Sequence, residues 1–275
     1  MSKLIYKNKE NIFDEKQVGE VLYLSYPILE KTGIVKHGFS TRIGGVSEGI
    51  YSSMNLSFTR GDDENAVREN YRRMAEALGV KEEMFVKSVQ THTTNVHKVT
   101  LENMKEELQD VDGLITDVPD ICLVTSYADC VPLYFVDPVH KAIGLSHSGW
   151  RGTVGRMGKK TLEAMKEAFG TNPGDVYAAI GPSICQDCYE ISEDVALHFY
   201  QEFWGHENEI LMDKGNGKYQ LDLWKTNEIV LTEAGITPEH LAVTNICTCC
   251  NHKLLFSHRA SHGQRGNLGA FLCLK

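Results

Sequence analysis

No apolar run in this sequence is long enough to cross a bilayer. The longest, over residues 21–29 and 121–125, fall well short of the roughly 20 residues a spanning helix needs. Positive charge is also short: 28 Lys and Arg stand against 37 Asp and Glu, a net charge of −9. General nucleic-acid binding is therefore not expected, because phosphate contacts need clustered Lys and Arg. The first residues, MSKLIYKNKENIFDEKQ, lack the apolar stretch of a signal peptide. Internal repeats and low-complexity linkers are missing too. These absences lead us to expect a cytoplasmic protein that works on small molecules, with neither nucleic acid nor membrane as a partner. They leave its oligomeric state open.

What is present is ordinary globular material: 275 residues, 42% hydrophobic and 24% charged. That suffices for a large core, and without a linker to divide it we expect one domain over 1–275. Eight cysteines and 11 histidines are more distinctive. In a cytosolic chain of this size they read as thiols and metal ligands before disulfides.

Hydrophobic periodicity alternates between strand and helix along the chain. Strands are expected over 21–29, 84–90, 95–99, 114–116, 121–126, 131–136, 142–146, 176–180, 241–246, 254–257 and 268–274. Helices are expected over 63–78, 153–169, 193–203 and 223–234. Val67, Tyr71, Met74 and Leu78 form an apolar stripe on the first helix, with Asp62 or Asp63 as cap and Gly79 as stop. The pattern implies a mixed α/β fold, with central sheet inside and helices outside.

Three expected strands lead to a metal-capable side chain at a polar turn: His92, Cys130 and His147. Imidazole and thiolate suit zinc, and three protein ligands would leave one position open, as in catalytic rather than structural sites. Taken singly, each residue has a plainer reading, since a His is commonly a hydrogen-bonded core or surface residue and a Cys a small buried hydrophobe. After His147 comes SGWRGTVG, where glycines and a helix start could receive an anion; a tight strand-to-helix turn explains the same residues. Arg42, beside Gly44 and Gly45, could fork onto phosphate or be an ordinary surface charge. A rival metal reading pairs Cys185-x-x-Cys188 with Cys247-x-x-Cys250, although about sixty residues separate the pairs where a zinc ribbon has 15–20. Cys249 has no assigned role.

Several segments occur together in a set order: HGFSTRIGG (37–45), Asn55-Leu, QTH (90–92), DGLITD (112–117), ADCVP (128–132), SHSGWRG (146–152), GPSI (181–184) and FSHR (256–259). Together they resemble the YfiH-type laccase-domain family, also called the multicopper polyphenol oxidoreductase family and regarded as purine nucleoside phosphorylases. The likeness runs from about residue 33 to the end. It implies a single α/β domain with sheet between helices, and zinc on His92, Cys130 and His147. It also implies phosphorolysis of adenosine, inosine and methylthioadenosine, with deamination of adenosine. Editing of peptidoglycan precursors and copper-dependent phenol oxidation are the other activities attached to the family. Ser148, often Ala in the motif, and the stretch Cys185–Cys188 depart from the pattern without touching a proposed ligand.

On this basis Arg42 and the N–H groups of Gly149 and Gly152 are candidates for phosphate. Gln90, Asn55 and Arg151 are candidates for orienting nucleoside, and Asp129 for supporting Cys130 or accepting a proton. Zinc would activate water against adenine C6 at neutral pH. Copper remains an alternative because His₂Cys is also a blue-copper set, yet the chain has no His-x-His pair of the kind a trinuclear copper cluster uses. The remaining rival is a non-catalytic adaptor held together by four cysteines on zinc.

Overall fold

A computed structural model describes residues 3–275. Among them are three sheets. The seven-stranded sheet runs in the order Asp14–Val18, Val21–Ser25, Val35–Ser40, Leu268–Leu274, Cys122–Tyr127, Phe85–Val89, Leu108–Gln109. The six-stranded sheet runs Leu241–Val243, Tyr177–Ile180, Val131–Asp137, Ala142–Ser148, Gly113–Thr116, Val96–Lys98. A small antiparallel sheet joins Glu190–Ser192, Lys218–Leu221 and Leu211–Gly215.

Alternation along the strands explains how the layers stack, because successive side chains leave opposite faces. Leu123 and Tyr127 meet Tyr134, Val136, Ile143 and Leu145 in a core shared by the two large sheets. Leu133 and Phe135 point the other way, to Leu162 and Met165 of the helix Met157–Phe169 and to Val230 of the helix Leu223–Glu233. Cys122 and Val124 face Val67, Tyr71 and Met74 of the helix Glu64–Leu78. The order is thus helix, sheet, sheet, helices: the expected mixed α/β arrangement.

Local chemistry sets the element ends. Asp63 caps its helix by accepting from the N–H groups of Asn65 and Ala66, and Gly79 closes it at φ 64°. Asp222 likewise accepts from Lys225 N, and that helix ends at Glu233 with Ala234 as its C-cap and Gly235 closing it in the left-handed region at φ 103°.

Other expectations fail for physical reasons. The strand expected over 21–29 ends at Ser25, because Pro27 opens a helical turn, Pro27–Glu30. The helix expected over 153–169 is two: Trp150–Val154, then Met157–Phe169, broken where Arg156 takes φ 57° and pairs with Glu202 and Glu233. The strand expected over 254–257 is a buried loop. Leu254, Leu255 and Phe256 pack without ladder partners, and Ser257 Oγ caps the turn His258–Ser261. Apolar composition alone does not separate such a loop from a strand.

His37 shows how a polar side chain is tolerated in the core. Its Nε2 accepts from Tyr26 N at 2.8 Å, so the ring must be neutral there. Burial pushes it down from 6.5 to about 4. The unfolded chain therefore takes up a proton that the fold refuses. Stability is complete above pH 6.5 and is lost as pH falls toward 4. We expect His37→Gln to flatten this acid loss by about 3 kcal/mol. Urea unfolding at pH 7 and pH 4.5 measures it; parallel losses in both proteins would refute the assignment.

Candidate metal centre

Each of the three ligands comes from a different part of the two-sheet stack. His92 lies in the loop after Phe85–Val89, in the seven-stranded sheet. Cys130 lies in the turn that carries the chain from Cys122–Tyr127 to Val131–Asp137, in the other sheet. His147 sits within Ala142–Ser148, opposite Pro132. That strand is two residues longer than expected, so His147 is held by a ladder and not by a free turn.

The ligand atoms of His92, Cys130 and His147 all lie within 4.8 Å of one another. Cys130 Sγ and His92 Nε2 are 3.9 Å apart, and the imidazoles meet edge to face at 4.9 Å. Neighbouring N and S ligands of a tetrahedral zinc stand about 3.3–3.6 Å apart, so small side-chain rotations would bring the three onto one ion. His147 is buried, Cys130 half-buried and His92 exposed, which leaves the cluster open on one side. Gly149 is needed at its edge: a Cβ there would stand 2.9 Å from His92 Cδ2 and 3.0 Å from Cys130 Sγ.

Asp112 organises the cluster. Its Oδ1 lies 2.7 Å from His147 Nδ1, so that ring turns Nε2 toward the centre. The same carboxylate accepts from the N–H groups of Thr91, His92 and Thr93. It thereby stabilises the left-handed backbone of His92, φ 67°, which costs a non-glycine residue on the order of 1 kcal/mol. Burial opposes ionisation of Asp112, but His147 and these N–H groups hold it down at about 2. Burial likewise opposes the Cys130 thiolate, yet His147 and His92 bring it down to about 6. His147 is pushed up to about 9 against its burial, by Cys130 and Asp112. Cys130 and His147 thus pair as thiolate and imidazolium, and a borderline cation would take the place of the proton between them and meet a thiolate and two imidazoles.

Two cavities meet at the cluster. One of about 670 Å³ is lined by Phe58, Tyr71, Met104 and Gln90. The other, about 280 Å³, is lined by Asp129, Trp150, Arg151, Tyr189, His258 and Arg259. His92, Cys130 and Arg265 border both. Arg265 is buried, and its Nε has no partner. Burial, and then Arg60, pull its guanidinium down to about 10.

The other expected residues divide. Arg42 is not at either cavity: its Nε donates to Ser52 O and its Nη1 to His252 O, with Phe256 beneath. Asn55 is fully buried and accepts from Ser57 N and Asn267 N, so it holds the segment that carries Arg265. Gln90 lines the larger cavity, but its amide is engaged at both ends by Ser126 N and O. Asp129 borders the smaller cavity and accepts from Thr248 Oγ1 at 2.6 Å and Arg259 N at 2.8 Å. Arg151 is exposed and lies over Trp150, 4.3 Å from its centroid. Gly152 is buried in a helix of five residues, where a Cβ would stand 3.5 Å from His147 O and 3.6 Å from Ser148 Oγ.

Asp112, read from the sequence only as part of an Asp112-Gly113 turn, and the cavity-lining Arg265, His258 and Arg259 were not among the expected site residues. Arg265 carried the signal that had drawn attention to Arg42: an arginine beside glycine, here Gly263-Gln-Arg-Gly266.

A mixed α/β fold with a His₂Cys cluster at the seam of two sheets defines the class of protein. The chain belongs to the multi-copper polyphenol oxidoreductase laccase family, which matches residues 36–275. It is 32% identical over 250 residues to purine nucleoside phosphorylase YlmD of Bacillus subtilis strain 168, covering 86% of this chain and 88% of that one. It is 33% identical over 244 residues to adenosine deaminase RL5 of an unknown prokaryotic organism, covering 84% and 93%. The crystal structure of the hypothetical protein YfiH of Bacillus licheniformis superposes with a TM-score of 0.89 at 32% identity, over 97% of this chain and all of that one.

Replacing Asp112 by Asn keeps its shape and removes its charge. We expect metal affinity to fall about 10–100-fold in competition with a chromophoric chelator, with circular dichroism unaltered. Equal affinity would show that the carboxylate does not tune the ligands.

Proposed function

We propose that this chain is a zinc-dependent purine nucleoside phosphorylase acting on adenosine, inosine and methylthioadenosine, with adenosine deamination at the same centre. One observation carries this reading: His92, Cys130 and His147 stand where an aromatic-walled cavity meets a cationic one. Zinc bound there would supply Lewis acidity and lower the pKa of a water to about 7.

The chain's own residues supply binding and orientation. Phe58, Tyr71 and Met104 offer the larger cavity an apolar wall for a purine. Arg265, desolvated and with a free Nε, takes the place first given to Arg42 as the phosphate ligand, with Arg259 and Arg151 on the same side. In phosphorolysis a phosphate oxygen forms the bond to ribose C1′ as the C–N bond breaks, and the electron pair leaves with the purine. A guanidinium that holds the phosphate in line lowers the entropy cost of that attack. Asp129, with both oxygens engaged, steadies Cys130 and the Arg259 backbone. Gln90 fixes Ser126 and hence the strand leading to Cys130.

Removing the Arg265 guanidinium as Arg265→Ala should cost about 100-fold in kcat/KM for phosphorolysis. Arg42→Ala, assayed where it remains folded, should keep phosphorolysis within about threefold. Steady-state kinetics with varied phosphate decides, and a larger loss from Arg42 would reinstate it.

The reaction itself is tested with metal-quantified protein and adenosine, with and without phosphate. Adenine and ribose 1-phosphate are expected when phosphate is present, and inosine marks the deamination that the likeness to RL5 supports. No turnover in either mixture rejects the nucleoside reading and turns attention to amide bonds of peptidoglycan precursors. An intense visible band in protein purified without added copper would favour the copper oxidase instead.

A further inference from the structure

A second set of ligands lies apart from the first. Cys185 precedes and Cys188 ends the single helical turn Gln186–Cys188, and Cys247 precedes the turn that contains Cys250. Their four sulfur atoms all lie within 4.8 Å of one another. Distance in sequence had counted against this grouping. The fold removes the objection, because Ser183 and Cys247 form a parallel bridge and Thr248 N donates to Ser183 O.

We propose that Cys185, Cys188, Cys247 and Cys250 form a structural tetrathiolate site for a zinc ion. Four thiolates on a tetrahedral zinc, with Zn–S of about 2.3 Å, stand about 3.8 Å apart. Cys188 Sγ and Cys250 Sγ are 3.6 Å apart, the separation of two ligands of one ion and far beyond the roughly 2.05 Å of a disulfide. Cys247 Sγ also accepts from the backbone N–H groups of Cys185 at 3.3 Å and Cys250 at 3.4 Å. Two N–H donors aimed at one sulfur favour its anion over its thiol. Lys7, held by Asp187 at 2.9 Å, lies close enough to Cys185 and Cys250 to feel their charge and offset part of it. On binding, each thiol gives its proton to solvent.

All four ligands being cysteine, this site would be closed, unlike the three-ligand centre. It would staple two distant segments and, through residues beside it, secure a third at the N-terminal end. Asn251 beside it exchanges hydrogen bonds with Ile5 N and O, and Lys7 N donates to Asn245 O. The staple also reaches the smaller cavity, since Thr248 donates to Asp129 and Arg259 Nη1 donates to Cys188 O at 3.0 Å.

The site does not depend on the phosphorylase reading, and its test does not use turnover. Protein purified without chelator is compared with His92→Ala/His147→Ala and with Cys188→Ser/Cys250→Ser by metal analysis and zinc K-edge absorption. The histidine variant should retain one equivalent of zinc surrounded only by sulfur at about 2.3 Å. The cysteine variant should lose that signal, keep the nitrogen-containing one and melt at lower temperature. Should the cysteine variant not fold, the histidine variant alone decides. A histidine variant free of metal overturns the proposal. So does iron in place of zinc, or unreduced protein whose mass shows Cys188–Cys250 or Cys185–Cys247 oxidised with loss of two hydrogens per pair. Failure to cleave nucleosides would leave all of these readouts as expected.

Discussion

The carboxylate of Asp112 is the constraint from which the candidate centre follows. One oxygen sets the His147 ring, and the pair together gather the N–H groups of residues 91–93 and so place His92. His147 belongs to the six-stranded sheet and His92 to a loop of the seven-stranded one. Asp112 therefore does across the seam what a ladder does within a sheet. A buried carboxylate is expensive unless fully satisfied. Its partners are the segments that must converge for a metal to bind, so the same hydrogen bonds that stabilise the charge also preorganise the ligands.

The fold was legible where burial was continuous and the residues apolar; Val35–Ser40, buried at five of its six positions but carrying Lys36, His37, Gly38 and Ser40, was not foreseen. All seven residues of Leu268–Leu274 and of Val131–Asp137 are buried, and an unbroken apolar run is what such a strand looks like in sequence. The helix Glu64–Leu78 carried both its stripe and its caps. By contrast, Asp14–Val18, Lys218–Leu221 and Leu211–Gly215 were not foreseen. Asp14–Val18 and Leu211–Gly215 are largely exposed and Lys218–Leu221 is mostly half-buried, and all three owe their conformation to hydrogen bonds with a neighbour, which leave no hydrophobic period behind. The same limit explains residues 254–257, where burial exists without pairing.

The candidate site was legible in its ligands and not in their support. His92, Cys130 and His147 stood out because imidazole and thiolate at strand ends are chemically conspicuous, and the likeness to a family tied them together. Asp112 and Arg265 are ordinary residue types that only their surroundings set apart: three N–H donors for one, desolvation for the other. Arg42 shows the converse. Its glycine neighbours suggested ligand contact, but the chain places two carbonyls within reach of its guanidinium, and these use it to bind the loop 42–53 to His252. Composition cannot distinguish an arginine that faces a cavity from one that faces its own backbone.

The two groups of metal-capable residues are best understood together. One has three ligands of mixed type, a rising exposure from His147 to His92 and cavities on both sides. The other has four ligands of one type, lies off both cavities and receives N–H donors at a sulfur. Ligand number and access separate an ion that can take a substrate from one that can only hold chain together. Asp129 links them: it precedes Cys130 in the chain and takes its hydrogen bonds from Thr248, inside the cysteine turn, and from Arg259, which in turn binds Cys188 O. Movement of the cysteine turn would accordingly be felt at Asp129 and Arg259, in the wall of the smaller cavity, before it reached His147, which is anchored by its own strand and by Asp112.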